Sequence, residues 1–197
     1  MIFRAHGVNL YYQQVESETV AWLSFGLNIL DYLGYTYKSI TIDGRTGFIN
    51  YLKTRYPNTP LQYCQFHQKM TIKRYLTNNP KTDCGLELQV FMKDFIAHDY
   101  DSFNAAYAAL KQRWREFLKE RNEAKAFKHK ALRAAFNSLK RNMPHLFTYK
   151  AYESLKIPNT TNSCDGYFGH FKSRVKRHCG LKRFRRIKLI EFIIKNS

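Results

Sequence analysis

The sequence predicts an α/β protein that carries a large block of helices. Strand and helix patterns alternate over residues 1–77, which is typical of an α/β core. Three amphipathic helical patterns then follow one another, and no convincing strand pattern occurs between residues 83 and 155. The chain of 197 residues is 44% hydrophobic and 16% aromatic, which is enough apolar material for one domain with an insertion.

The N-terminal region predicts two short strands and a helix. The strands are expected at residues 1–3 and 10–15, where apolar and aromatic residues cluster, with Gly7 as a turn residue between them. Apolar residues then recur at approximately helical spacing over residues 18–33. Gly34 follows directly, and glycine is a common residue after the end of a helix.

The next stretch predicts a strand–helix–strand–helix unit. Its strands are expected at 38–43 and 60–66, and its helices at 47–56 and 67–77. Pro57 closes the first of these helices, because proline cannot continue a helix.

The remaining elements are predicted to be helices. The helical block is expected at residues 84–99, 100–121 and 129–147. A loop with the sequence KIPNTTNS follows the block. Two further helices are expected at 164–180 and 182–196, and the second is basic and amphipathic.

The charge of the chain predicts an anionic partner. Lys and Arg number 33 against 15 Asp and Glu, which gives a net charge of +18, and DNA is the partner we expect. No stretch approaches the ~20 apolar residues of a membrane span, and the N-terminus lacks the layout of a signal peptide. We therefore expect no membrane partner, reduced cysteines and a cytoplasmic, DNA-associated protein.

Two aspartates stand at positions that suit either structure or chemistry. Asp43 ends a predicted strand just before Gly44, and Asp165 lies at the third position of a helix that Asn162 is expected to cap. Both could be structural, as an Asp-Gly turn and as a carboxylate in a helix cap. Both could also be functional. Sites in open α/β sheets form beyond the carboxyl ends of strands, and carboxylates there can hold two Mg²⁺ ions about 4 Å apart.

Four stretches resemble the bacterial insertion-sequence transposases of the Mutator-related type. They are SITIDGRTGF, QYCQFHQKMTIKRYLT, LFTY and IPNTTNSCDGYFGHFKSRVKRHCGL, and they follow the family's order over nearly the whole chain. The resemblance implies a ribonuclease-H-like core with a large helical insertion. In this interpretation residues 1–80 are a partial core, 81–155 the insertion, and 156–197 the C-terminal helices of the core with a basic tail.

The resemblance also implies a DDE-type active site for DNA strand cleavage and strand transfer. Asp43 matches the second acid and Asp165 the third, so both would be catalytic and would ligate Mg²⁺ or Mn²⁺ in a two-metal site. The family usually has Glu at the third position, and a displacement of about 1 Å can lower a rate ~10²-fold. No residue matches the first acid, since Asp31, Glu16 and Glu18 fit poorly.

These departures predict an N-terminally truncated transposase fragment. The family's first core strand and its N-terminal DNA-binding region have no match in this sequence. We therefore expect a catalytic-domain fragment that is inactive alone. The alternative is a non-catalytic basic DNA-binding protein derived from a transposase. In both cases the partner would be DNA, as element ends and target, and assembly into a homo-oligomer stays open.

Cys64 and His67 form a C-x-x-H pattern, which by spacing is half of a zinc site. Two further pairs could complete such a site: Cys179 with His178, or Cys164 with His170. We favour the other interpretation, in which Cys64 is a small buried residue and His67 lies at the start of a helix near the acids.

A dense run of cations near the C-terminus predicts contacts with DNA phosphates. The candidate residues are Lys172, Arg174, Lys176, Arg177, Lys182, Arg183, Arg185 and Arg186. They could form a solvated helix face, but so many charges of one sign repel one another unless an anion relieves them. No base-reading motif is present, so no sequence specificity is predicted. Trp114 lies in another basic helix and is expected in the core.

Overall fold

The computed structural model describes residues 1–45 and 47–195. Thr46, which belongs to the SITIDGRTGF stretch, and Asn196 and Ser197 lie outside the described residues. The chain divides into two compact units. The terminal unit contains Met1–Thr36 and Thr161–Ser197, and the central unit contains Tyr37–Thr160.

Helices dominate the described residues, with two small sheets. The strands are β1 (Ile2–Ala5), β2 (Val8–Tyr12), β3 (Ile40–Ile42) and β4 (Leu61–Tyr63). The α-helices are α1 (Val20–Tyr32), α2 (Phe48–Arg55), α3 (Gln65–Leu76), α4 (Asp83–Phe91), α5 (Tyr100–Arg113), α6 (Arg115–Lys119), α7 (Lys130–Asn142), α8 (Thr148–Ala151), α9 (Asn162–Lys176) and α10 (Arg183–Lys195). Short 3-10 helices occur at Met143–His145 and Glu153–Leu155.

In the terminal unit, β1 and β2 form an antiparallel hairpin with Ile2 opposite Tyr12. The turn uses Gly7 at φ 80°, a conformation that glycine adopts without steric cost. The rings of Phe3 and Tyr11 lie against Gly26 of α1, where a Cβ atom would fall 2.4 Å from the Phe3 ring. The glycine in the middle of α1 therefore allows the hairpin to approach the helix closely.

In the central unit, β3 and β4 are parallel, with Ile42 opposite Tyr63. The helix α2 connects them, which is the β-α-β arrangement that parallel strands require. The strand–helix alternation predicted for this region is therefore confirmed.

The parallel strands and the helical block share one hydrophobic core. Tyr63 of β4 and Ile72 of α3 are buried in the same cluster as residues of α4, α5 and α7. At its centre the rings of Phe103 and Phe147 lie 5.1 Å apart, and those of Phe95 and Phe103 lie 5.0 Å apart. Burial of these side chains, about 1.5–3 kcal/mol for each, holds the block against the strands.

Three predicted helices are shortened or interrupted, and the first of them, expected over 84–99, ends at Phe91. The helix expected over 100–121 breaks at Trp114, whose φ and ψ of −95° and 12° separate α5 from α6. Its half-buried indole packs against the core, as predicted, and its N–H donates to Glu87 Oε2 at 2.5 Å. The helix expected over 129–147 ends at Asn142, because Pro144 has no N–H to continue the α-helical bonding.

The structure confirms a mixed α/β fold at the coarse level. The hairpin and the parallel pair form separate two-stranded sheets. The ribonuclease-H-like core, and the regions 1–80, 81–155 and 156–197, stay predictions.

Candidate functional site

Asp43 lies at the carboxyl end of the parallel strand pair. It follows Ile42 of β3, while Cys64 follows Tyr63 of β4, and the Cys64 N–H donates to the Ile42 carbonyl at 2.8 Å. The two residues after the strands are therefore adjacent at one edge of the sheet. The sequence predicted this position for Asp43 from the β-branched run before it.

Gly44 is required by the side chain of Tyr63. A Cβ atom at Gly44 would fall 1.9 Å from the Tyr63 hydroxyl, so only glycine leaves room for the tyrosine ring. Burial raises the pKa of Tyr63, Arg141 lowers it, and Asp43 raises it. Asp43 is half-buried and Tyr63 is buried, so a carboxylate and a phenol both occur at the ends of the parallel strands.

Cys64 is fully buried, which confirms its interpretation as a small core residue. It precedes α3, and His67 lies half-buried in the first turn of that helix, with the Phe66 ring 5.8 Å away. The residues that could complete a zinc site all belong to the terminal unit: Cys164, His170, His178 and Cys179. Zinc binding by Cys64 and His67, the interpretation that we did not favour, therefore stays untested.

Three glutamines beside Asp43 form a buried polar network that the sequence reasoning missed. Gln62, Gln65 and Gln68 are each 0 or 1% exposed. Gln62 Nε2 and Gln65 Nε2 both donate to the Leu146 carbonyl, at 3.0 and 2.9 Å. Because buried amides are costly when unpaired, these bonds fix the helical block to the strand ends.

The rest of the network closes around the same glutamines. The Tyr149 N–H donates to Gln62 Oε1 at 2.9 Å, and Asn142 Nδ2 donates to Gln68 Oε1 at 2.7 Å. Gln68 Nε2 in turn donates to Ser138 Oγ at 3.3 Å. The sequence did contain a signal for this network, because the glutamines in QYCQFHQ recur every three residues. Residues three positions apart in a helix lie on the same face, so Gln65 and Gln68 could have been predicted to point the same way.

The loop that precedes α9 is bonded to the same strand pair. Thr41 Oγ1 of β3 donates to the Pro158 carbonyl at 2.9 Å. The Gln65 N–H donates to the Asn159 carbonyl at 2.9 Å, and Asn159 Nδ2 donates to Gln65 Oε1 at 3.2 Å. The IPNT segment of the KIPNTTNS loop therefore contacts the sheet that Asp43 follows. This contact joins parts of the central unit that are far apart in sequence.

Asp165 lies in the terminal unit, in the first turn of α9. The helix begins one residue earlier than the predicted cap implies: Thr161 is the capping position, and Asn162 is already helical. Thr161 Oγ1 donates to Asp165 Oδ2 at 2.9 Å, so the exposed carboxylate stabilises the helix start. The prediction that Asn162 caps α9 is wrong, and Asp165 is the fourth helical residue instead of the third.

A polar cluster in the terminal unit borders the first turns of α9. The Arg4 guanidinium lies 4.7 Å from the centre of the Tyr167 ring, and Arg4 Nη1 donates to Asn9 Oδ1 at 2.5 Å. Arg4 Nε, Asn9 Nδ2 and Tyr167 Oη are buried atoms without a hydrogen-bond partner in the described part of the chain. Burial raises the pKa of the Cys164 thiol, Arg4 lowers it and Asp165 raises it.

The predicted DNA-contacting cations lie on α9, α10 and the turn between them. All eight are exposed, while Val175, Ile193 and Ile194 of the same helices are buried. Residues 172–195 contain ten Lys and Arg against a single acid, Glu191. Within the described residues, none of the eight forms an ion pair with a carboxylate. The prediction of an exposed basic surface is therefore confirmed in its geometry, while DNA contact stays a prediction.

Asp43 and Asp165 lie in different units, so the two-metal site that the resemblance implies for them stays a prediction. Over residues 1–45 and 47–195, no group of three or more His, Cys, Asp or Glu side chains could hold a metal ion. None of the described helices is long and apolar enough to cross a membrane.

Comparisons with known proteins found no family that this chain resembles significantly. No protein-family model matches it, and neither the curated proteins nor the solved structures contain a significant match.

Proposed function

We propose that this protein binds DNA through backbone phosphates, using the basic surface of α9 and α10. The single observation that carries the proposal is the set of eight exposed cations without carboxylate partners among the described residues. Phosphate contacts by such residues depend on charge and spacing and do not read base sequence. The binding is therefore expected to be strong at low salt and largely independent of sequence.

The resemblance to Mutator-related transposases suggests why this protein would bind DNA. Its motifs, from SITIDGRTGF to the NTTNS loop, support a DDE-type catalytic domain acting on DNA. The bonds from Thr41 and Gln65 to the Pro158–Asn159 loop agree with such a fold, because they tie the loop to the sheet that carries Asp43.

DNA binding is tested by removing charge at the proposed surface. The triple variant Arg183→Gln, Arg185→Gln, Arg186→Gln is compared with Lys73→Gln, Lys81→Gln, Lys93→Gln, which removes the same charge from exposed positions of the central unit. Fluorescence anisotropy of two unrelated 30-base-pair duplexes is measured from 50 to 200 mM salt.

The arginine variant should bind both duplexes roughly tenfold more weakly at intermediate salt. The slope of log affinity against log salt is negative, and it should become shallower by about 3, since each lost phosphate contact removes about 0.9 from its magnitude. The lysine control should keep the slope of the native protein. Equal slopes in all three proteins would mean that α9 and α10 are a solvated face.

A second function, metal-dependent strand cleavage, is supported by the position of Asp43 at a strand end. Because the resemblance leaves the first acid unmatched, we expect no nicking of supercoiled plasmid with Mg²⁺ or Mn²⁺. Nicking that Asp43→Asn abolishes and Asp31→Asn retains would establish the enzyme instead of the non-catalytic alternative.

A further inference from the structure

A cavity of about 550 Å³ lies among α5, α6 and α7 of the central unit. Its volume falls within the range of about 300–1,000 Å³ that small-molecule sites occupy. Tyr107 and Phe136, which are 5 and 1% exposed, contribute to its wall and belong to the hydrophobic core. The Tyr107 hydroxyl donates to the Phe136 carbonyl at 3.0 Å, which keeps both residues in place.

Five cations and no carboxylate line this cavity: Lys111, Arg115, Lys119, Arg133 and Lys140. Arg115 and Lys119 have a neighbouring acid outside the lining, since both contact Glu116. No carboxylate of the described residues forms an ion pair with the other three. The cavity is therefore a concave surface of one sign, which concentrates the field that attracts an anion.

Lys111, Arg133 and Lys140 line the same cavity, and no carboxylate among the described residues separates their charges. The pKa of Lys111 is lowered, first by burial and then by the charges of Lys140 and Arg133. Arg133 cannot easily move away, because its Nη1 donates to the Leu118 carbonyl at 2.9 Å and its guanidinium lies 3.5 Å from the centre of the Phe127 ring. A bound anion would relieve a repulsion that the fold otherwise sustains.

The remaining wall suits a ligand larger than a simple ion. The side-chain amides of Asn104, Gln112 and Asn137 lie beside the cations and the two aromatic residues. Amides can hydrogen-bond with a base or a sugar, and Lys and Arg bind phosphate, while the buried rings of Tyr107 and Phe136 support the wall from beneath. These are the chemical groups that recognise a nucleotide.

We propose that this cavity binds the phosphate group and the base of a nucleotide. The nucleotide could be a free mononucleotide or the end of a single nucleic-acid strand, because both present the same chemistry. All residues of this site belong to the central unit, whereas α9 and α10, which carry the proposed DNA contact, belong to the terminal unit.

The test uses the full chain and isothermal titration with adenosine 5′-monophosphate. The double variant Lys111→Gln, Lys140→Gln is compared with Lys73→Gln, Lys93→Gln, a pair of exposed lysines outside the cavity. We expect the cavity variant to bind at least tenfold more weakly, and the control pair to bind like the native protein. Adenosine without phosphate should bind at least tenfold more weakly than the monophosphate.

Competition distinguishes the two sources of the ligand. If a ten-residue oligothymidylate displaces the monophosphate, the site accepts a nucleic-acid strand; if it does not, the site accepts the free nucleotide. Inorganic phosphate should compete weakly in either case. The variant Arg183→Gln, Arg185→Gln, Arg186→Gln should keep monophosphate binding, so that failure of the DNA proposal and failure of this one are separate results.

Two results would overturn the proposal. One is equal binding of the monophosphate by the cavity variant and the lysine control, and the other is equal binding of adenosine and its monophosphate. Circular dichroism shows whether the double variant folds. If it does not, Lys140→Glu on its own removes and reverses one exposed charge, and it should still weaken monophosphate binding at least fivefold.

Discussion

The chain carries two cationic regions that differ in shape and in support. In the cavity of the central unit, cations from three helices face one concave space whose wall belongs to the core. On α9 and α10 of the terminal unit, the cations are fully exposed and follow one another along the sequence. Charge of the same sign therefore occurs in two geometries, one suited to a single phosphate group and one to an extended polyanion.

The comparison shows that charge density alone does not indicate a ligand. A linear run of exposed cations can follow the repeating phosphates of a duplex, and its contribution grows with each contact. A concave site instead gains from cations that converge on one place, because their fields add there and a charge near an apolar wall interacts more strongly than one surrounded by water. The two regions should consequently respond to different degrees to changes in packing, in charge and in pH.

The largest expected difference concerns packing. Phe136→Ala removes a ring that is 1% exposed and shared by the core and the cavity, so it should lower the free energy of unfolding by about 3–5 kcal/mol. Phe184→Ala on α10 removes a ring that is 66% exposed, so its effect should stay within about 0.5 kcal/mol. Urea denaturation measures both values.

The two tryptophans help to assign this effect. Trp114 lies in the central unit and Trp22 in the terminal unit, so a Trp22→Phe background reports the central unit through Trp114 fluorescence. Similar midpoints for the two alanine variants would contradict the comparison, since the cavity would then not be part of a packed core.

Location of charge gives the next largest effect. Lys111→Gln with Lys140→Gln should leave the salt dependence of duplex binding nearly unchanged, with a slope change below about 0.5, because a duplex does not enter a cavity of this size. The arginine variant of α10 should change the same slope by about 3. A large slope change in the cavity variant would mean that both regions contact the duplex.

Local sequence signals predicted the elements of the central unit but not its cavity. The β-branched run before Asp43 and the stop at Pro57 act within a few residues, so strands and helices could be predicted from them. Lys111 and Arg133 are 22 positions apart on different helices. Only the packing of α5 against α7 brings them to one cavity, and no periodicity in the sequence encodes that pairing.

The candidate site at Asp43 likewise combines features that local sequence predicts with features that depend on packing between distant residues. Its strand-end position and its glycine neighbour could be predicted from local turn chemistry. The need for that glycine depends on Tyr63, which comes from the neighbouring strand, and the buried glutamines depend on Leu146 from a distant loop. The predicted N-cap of α9 was wrong because Thr161 and Asn162 are adjacent polar residues and either type can cap a helix. The structure places Thr161 at the capping position and Asn162 inside the helix.

The smallest expected effect concerns pH. The pKa of Lys111 lies below its ordinary value of 10.5, so this lysine loses its charge at lower pH than an exposed lysine does. Monophosphate binding should therefore weaken modestly as pH rises from 7.5 to 9.5. Arg115 and Arg133 also face the cavity, as does Tyr107, whose pKa burial raises to about 12, so that the phenol stays neutral.

A matched variant isolates the contribution of Lys111. Lys111→Arg keeps the positive charge throughout this pH range, so its monophosphate affinity should stay flat where that of the native protein falls. Duplex binding through Arg183, Arg185 and Arg186 should also stay flat, because guanidinium groups do not titrate there. If the native protein and Lys111→Arg lose monophosphate affinity in parallel, the proton is lost elsewhere, and Lys140 and Lys119 are the remaining lysines of the cavity to substitute in the same way.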